Sequence, residues 1–281
     1  MKKRRFLQCD VFTSVPTRGN GLAVIVDAEG LDDTQMQTFA AWTNLAETTF
    51  LFPPTDPSAD YKVRIFSPAR EMPFAGHPTL GSCAAWLHTG GTPAEDTVVK
   101  QECAVGIVDI DFKGDVPAFV APPTKVEPLA DDLVQLISDV LSIPSERITR
   151  TANLENGPVW HVLELASAED VLAVDSSRVR WPQFQCIGLI GPHPKGSECH
   201  YEVRTLAPSS GMSEDPITGS LNSAIACWMH AEGRLENDLV ISQGTNINRQ
   251  GRVFVRPDRN GDGRILIGGK TQILIDGHVT L

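Results

Sequence analysis

Tyr61-Lys62-Val63-Arg64-Ile65-Phe66-Ser67-Pro68 returns later in the chain as Tyr201-Glu202-Val203-Arg204-Thr205-Leu206-Ala207-Pro208. The two stretches share Y-x-V-R-x-x-x-P at an offset of 140. A second match follows each: His77-Pro78-Thr79-Leu80-Gly81-Ser82 against Asp215-Pro216-Ile217-Thr218-Gly219-Ser220, sharing x-P-x-x-G-S at an offset of 138. A third pairs Val98-Val99-Lys100-Gln101 with Val240-Ile241-Ser242-Gln243. Three matches in one order at a nearly constant offset point to a duplicated unit. A chain of 281 residues has room for two such domains. The proline-stiffened segment Ala121-Pro122-Pro123-Thr124-Lys125 is the natural linker. The expected division is 1–122 and 123–281, with the last strand free to return to the first domain.

Working outward, Gly21 to Val26 reads as a short apolar strand, and Asp32-Asp33 open a helix through Thr43, acidic residues being suited to a helix N-terminus. Residues 63–66, 106–112, 160–165, 201–206, 253–256 and 264–267 read as strands. Each half carries one long apolar helix, expected from Ser82 to His88 and from Ser220 to His230. At each junction Gly lets backbone approach a ligand and Ser is placed to cap the helix. The free N–H groups with the helix dipole favour an anion. The symmetric positions carry different ionisable groups, His77 and Asp215, which lets a duplicated scaffold act asymmetrically on a small carboxylate or a developing enolate. The competing interpretation is two ordinary capped helix starts with a structural histidine.

Charged residues make up 21% and the net charge is −11, with Lys and Arg scattered, so no footprint for nucleic-acid phosphates exists. The basic start Met1 to Arg5 turns polar at Gln8 and Asp10, too early for a signal peptide. No apolar run approaches the roughly 20 residues of a membrane span. The expectation is a cytoplasmic protein without a membrane partner. Its six cysteines, 9, 83, 103, 186, 199 and 227, form no C-x-x-C pair and read as reduced thiols.

Asp10-Val11-Phe12-Thr13, Gly19-Asn20, Asn44-Leu45-Ala46-Glu47-Thr48-Thr49-Phe50, Phe74-Ala75-Gly76-His77-Pro78-Thr79-Leu80-Gly81 and Asp215-Pro216-Ile217-Thr218-Gly219-Ser220 resemble the motifs of the phenazine-biosynthesis PhzF-like isomerases. The resemblance implies the diaminopimelate-epimerase fold, an α+β architecture of two pseudo-twofold-related domains. In each, a curved, mostly antiparallel sheet wraps a central helix, and the site lies between the domains. It further implies that Glu47 shuttles a proton between carbons of a trans-2,3-dihydro-3-hydroxyanthranilate-like acid. His77 and Asp215 are its supporting catalytic groups, and Gly76, Gly219, Ser220 and Asn20 bind substrate. It implies no metal, nucleotide or flavin, and a homodimer. The apolar neighbours Leu45, Phe50 and Leu51 allow partial desolvation of Glu47, which would bring it toward general acid–base range. One departure is Gly21, where the family commonly has proline after Gly-Asn, and glycine is expected to loosen that turn.

Asp258-Arg259-Asn260-Gly261-Asp262-Gly263 satisfies half of a calcium-loop pattern, but its twelfth position is Gly269, so a hairpin turn is expected. Gly269-Lys270-Thr271 lacks the earlier glycine of a phosphate-binding loop, and no G-x-S-x-G elbow occurs. Trp42, Trp86, Trp160, Trp181 and Trp228 are read as core, Trp86 and Trp228 on the two central helices. Two alternatives stay open. One is an amino-acid epimerase of the same fold, disfavoured because no cysteine lies in either junction loop. The other is a binding protein that kept the cleft and lost catalysis.

Overall fold

The computed structural model describes residues 1–180, 182–209, 212–257 and 263–281. The chain forms two compact units: residues 1–120 with 268–281, and residues 121–267. The division falls at the start of the proline-bearing segment, and the C-terminal strand belongs with the first unit.

The first unit begins with β1 (Lys3–Val11), β2 (Asn20–Ile25), α1 (Asp33–Thr43), β3 (Glu47–Phe52), β4 (Tyr61–Phe66), β5 (Glu71–Met72) and α2 (Gly76–His88). It continues with β6 (Val98–Cys103), β7 (Gly106–Asp111) and β8 (Ala118–Val120). The second unit runs β9 (Lys125–Glu127), α3 (Asp131–Leu141), β10 (Ile148–Glu155), β11 (Val159–Leu165), α4 (Ala168–Ala173), β12 (Ile187–Pro192) and β13 (Tyr201–Ser209). Then come β14 (Met212–Asp215), α5 (Gly219–Ala231), β15 (Leu239–Gln243), β16 (Gly251–Pro257) and β17 (Ile265–Gly268), and β18 (Thr271–Thr280) closes the chain.

Strand pairing exposes the duplication more fully than the sequence does. In the first unit β1 and β2 are antiparallel, β2 and β3 parallel, β3 and β4 antiparallel. β4 then pairs antiparallel with β5 and parallel with β6, which returns antiparallel to β7. The second unit repeats every step with β10 to β16. The parallel steps enclose a helix because a parallel connection needs a crossover. α1 spans β2 to β3, and α2 and α5 span the later parallel pairs.

α2 touches β1, β2, β3, β6, β8 and β18, so the sheet curls around it. Its residues Gly76 through Cys83 are all buried, as expected of a helix with no solvent face. α5 likewise buries nine of its residues, among them Trp228 and Met229. On the other side of β2 and β3, α1 packs Met36, Phe39 and Ala40 against Ile25, Phe50 and Phe66. An Asp32–Gln35 capping box starts α1 and a left-handed Asn44 ends it.

Several expectations are corrected. α2 starts at Gly76, so Gly81 and Ser82 lie inside the helix, whereas Gly219 and Ser220 do open α5. Pro78 is the third residue of α2, within the first turn, where its missing N–H costs nothing. Gly81 is needed for close packing: a Cβ there would sit 2.5 Å from Leu22 and 2.9 Å from Val11. Neither helix has a side-chain cap; the cap positions are Ala75 and Thr218. Trp42 is 77% exposed, stacked on Phe39, and Trp86 is half-buried against Tyr61. Trp160 and Trp228 are core. Trp181 and the turn expected at 258–262 lie outside the described residues. Gly21 loosens no turn; it sits within β2, paired with Asp10. Among the described residues no helix is long and apolar enough to cross a membrane.

Candidate functional site

Glu47 is the first residue of β3, opposite Leu22 of the parallel strand β2. It follows the left-handed turn at Asn44 that reverses the chain out of α1. Its side chain is 16% exposed and its Oε2 lies 3.2 Å from Nδ1 of His77. His77 is the second residue of α2 and is buried. Burial pushes its pKa down to about 3, while a hydrogen bond to the Gly21 backbone acts in the opposite direction. Its Nε2 is buried without a hydrogen-bond partner, so a protonated ring would bury an unpaired N–H. At neutral pH the imidazole is therefore uncharged, and it lies against the Glu47 carboxyl group. Such a pair can take up a proton and release it again.

The loop before β2 holds this corner in place. Both oxygens of the buried Asp10 accept from the Gly19 N–H at 3.0 Å. Gly19 is required there, because a Cβ would lie 2.4 Å from the Val11 carbonyl oxygen. Phe12 and Thr17 take positive φ within the same loop, at 65° and 69°. Asn20 follows as the first residue of β2, buried and paired with Val11. Gly76 opens α2, and its N–H and that of His77 have no carbonyl one turn earlier to bond.

In the second unit Asp215 ends β14 and is 7% exposed. The Thr218 hydroxyl donates to its Oδ2 instead of capping α5. Gly219 and Ser220 form the first turn of α5, with N–H groups left over by the helix. The Ser220 carbonyl accepts from Asn156 Nδ2 at 2.8 Å, and Asn156 in turn accepts from Trp160 Nε1 at 3.2 Å. Glu47, His77, Gly76 and Asn20 thus belong to the first unit, and Asp215, Gly219 and Ser220 to the second. Asp10, Thr218 and Gln243 were missed as contributors. The recurrence of Gln101 and Gln243 at the ends of matched strands was the available signal for the last.

A family model described as phenazine biosynthesis-like protein matches residues 9–277. The chain is 33% identical to antisense-enhancing sequence 1 of Schizosaccharomyces pombe, covering 99% of each. It is 29% identical to trans-2,3-dihydro-3-hydroxyanthranilate isomerase of Pseudomonas chlororaphis, covering 90% of each. The crystal structure of a Bacillus anthracis phenazine biosynthesis protein of the PhzF family superposes with a TM-score of 0.84 at 21% identity, covering all of both chains. The duplicated α+β units and the near-complete family match agree, and the chain belongs to the phenazine biosynthesis-like family, whose named members include isomerases.

Proposed function

We propose that the protein is an isomerase that moves a proton between two carbons of a small cyclic or enol-containing carboxylic acid of the trans-2,3-dihydro-3-hydroxyanthranilate type. Glu47 is the carrier. Its carboxylate removes a proton from one carbon, electron density shifts through the conjugated system, and the same carboxyl group returns a proton to a second carbon. The observation that carries this function is the Glu47–His77 contact: a largely desolvated carboxyl group 3.2 Å from an imidazole that burial keeps neutral. A neutral ring beside the carboxyl group does not fix it as a permanent anion, which suits a group that must hold a proton and then release it. The N–H groups at the helix starts, at Gly76 and at Gly219 and Ser220, suit substrate carboxylate or enolate charge. Asp215 serves as a second polar anchor, and Asn20 lines the corner beside Gly21.

Incubation with trans-2,3-dihydro-3-hydroxyanthranilate in D₂O, with no added cofactor, tests the assignment by NMR. The expected result is an isomer carrying solvent deuterium at the receiving carbon. Glu47→Gln keeps the shape but cannot accept the proton, so turnover should fall by about 10²- to 10⁴-fold while affinity stays similar. Wild-type-like turnover in Glu47→Gln, with Asp215→Asn inactive, would move the proton carrier to Asp215.

A further inference from the structure

Gln243 ends β15 and is fully buried. Its Oε1 accepts from the backbone N–H of Thr218 at 3.0 Å and from Asn222 Nδ2 at 2.8 Å. A backbone amide can only donate, so the orientation of the Gln243 amide is fixed by its surroundings. Its Nε2 therefore faces three acceptors: Thr205 Oγ1 at 3.0 Å, Thr218 Oγ1 at 3.1 Å and the Asp215 carbonyl at 3.3 Å. Thr218 has one hydroxyl proton, and with Gln243 donating to its oxygen that proton goes to Asp215 Oδ2. The relay has one direction: Gln243 amide to Thr218 hydroxyl to Asp215 carboxylate. We propose that Gln243 is a positioning residue that acts through Thr218 to aim a hydroxyl proton at Asp215, fixing this carboxyl oxygen as an acceptor during the reaction. This rests on the isomerase function proposed above, with Asp215 as one of its supporting catalytic groups.

Two further observations favour a role beyond holding the fold. Asn222 spends its amide on Gln243 and on the Thr218 carbonyl at 2.9 Å, leaving its own Oδ1 buried with no partner. A buried unsatisfied acceptor is costly and is here tolerated in support of the Gln243 orientation. The first unit has the simpler version. Gln101 of β6 accepts from the Tyr61 hydroxyl at 2.8 Å and donates to Thr79 Oγ1 at 3.2 Å, and Thr79 donates to the Ala75 carbonyl at 2.9 Å. That relay also reaches the start of its helix, but it ends on a backbone carbonyl, which cannot change its protonation. Anchoring a helix start thus requires no carboxylate, and the second unit has placed one at the end of the chain of donors.

The test is a double-mutant cycle on the intact protein with trans-2,3-dihydro-3-hydroxyanthranilate, reading kcat, KM and thermal midpoint for Gln243→Met, Thr218→Val, Thr218→Ser and the Met/Val double variant. Each of Gln243→Met and Thr218→Val should lower kcat by about 10- to 100-fold, the scale for losing a partner one shell removed from the reacting group. KM should stay within about threefold, the double variant should be no slower than the worse single variant, and Thr218→Ser should restore kcat, since non-additivity marks groups acting as one unit. Additive losses that track the thermal midpoint would overturn the relay and leave a structural role. If Gln243→Met does not fold, the Thr218 pair decides: turnover that depends on the hydroxyl supports the relay, and equal turnover in Thr218→Val and wild type overturns it. An inert wild type would remove the isomerase function and this inference together; an active wild type with indifferent variants would remove the inference alone.

Discussion

Arg64 and Arg204 occupy the same place in the repeated motif and make the same fork, yet one is in water and the other is not. Arg64 reaches Glu71 through Nε and Nη2 at 2.7 and 2.6 Å, with side chains 26% and 41% exposed. Arg204 reaches Glu214 through the same atoms at 3.0 and 2.7 Å, with both side chains 1% exposed. The difference lies in the crossover helix. In the first unit Asp33, in the first turn of α1, meets Arg64 Nη1 at 2.7 Å. In the second, Arg204 Nη1 donates to the carbonyls of Val171 and Val174 at the C-terminal end of α4, at 3.0 and 2.6 Å. That end of a helix favours a cation and supplies acceptors without adding charge. Duplication kept the ion pair, and each unit found its own third partner.

The largest expected effect follows from that contrast. Arg204→Ala leaves Glu214 charged and buried without a partner, which should cost about 3–5 kcal/mol. Arg64→Ala removes a half-solvated pair, for which about 1 kcal/mol or less is expected. Urea unfolding of the two variants measures both. Similar losses would mean that the two pairs are energetically alike despite their surroundings.

A smaller effect concerns pH. The folded state holds His77 at about 3, whereas an unfolded histidine titrates near 6.5. Below 6.5 the unfolded chain binds a proton that the folded chain refuses, so stability falls as pH falls, by about 1.4 kcal/mol per pH unit until about pH 3. Between pH 6.5 and 5 this amounts to about 2 kcal/mol. His77→Gln should remove that slope, read as the difference between the two proteins' pH–stability curves. Parallel curves would show that the folded ring takes up a proton as readily as the unfolded one, against a neutral His77 beside Glu47 at mildly acidic pH.

Much of this arrangement was legible in the sequence, because the Y-x-V-R strand and the glutamine-ended strand each recur with their neighbours. The helix starts were not. Gly-His-Pro-Thr-Leu-Gly-Ser reads as a loop, since Pro and Gly usually break helices, but Pro78 falls in the first turn, where no donor is needed, and Gly81 serves packing against Leu22 and Val11. The matching x-P-x-x-G-S therefore aligned six residues within α2 with four that precede α5 and two that open it. The Glu47–His77 contact was hidden for a different reason: thirty residues separate them, and only the return of α2 past β2 and β3 brings them together. Nor does a sequence pattern tell a buried glutamine that organises a helix start from one at a strand end.

The smallest expected effect concerns the position in the second unit that matches Glu47. Ile187 is the first residue of β12, as Glu47 is of β3, and it is fully buried. Across the parallel pair, Leu22 faces Glu47 in the first unit, while His161 faces Ile187 in the second. The titratable group has changed strands. His161 is half-buried, burial lowers its pKa, and its Nδ1 lies 2.9 Å from Asn153 Oδ1. With an isoleucine opposite, it has no carboxyl partner across the strand pair with which to exchange a proton, so it should contribute only its hydrogen bond. His161→Leu is expected to cost about 1 kcal/mol, the net value of one such bond, and to leave turnover within about twofold of wild type. Thermal unfolding and the D₂O assay measure the two quantities. A large loss of turnover with stability intact would give His161 a working role and break the contrast between the two parallel strand pairs.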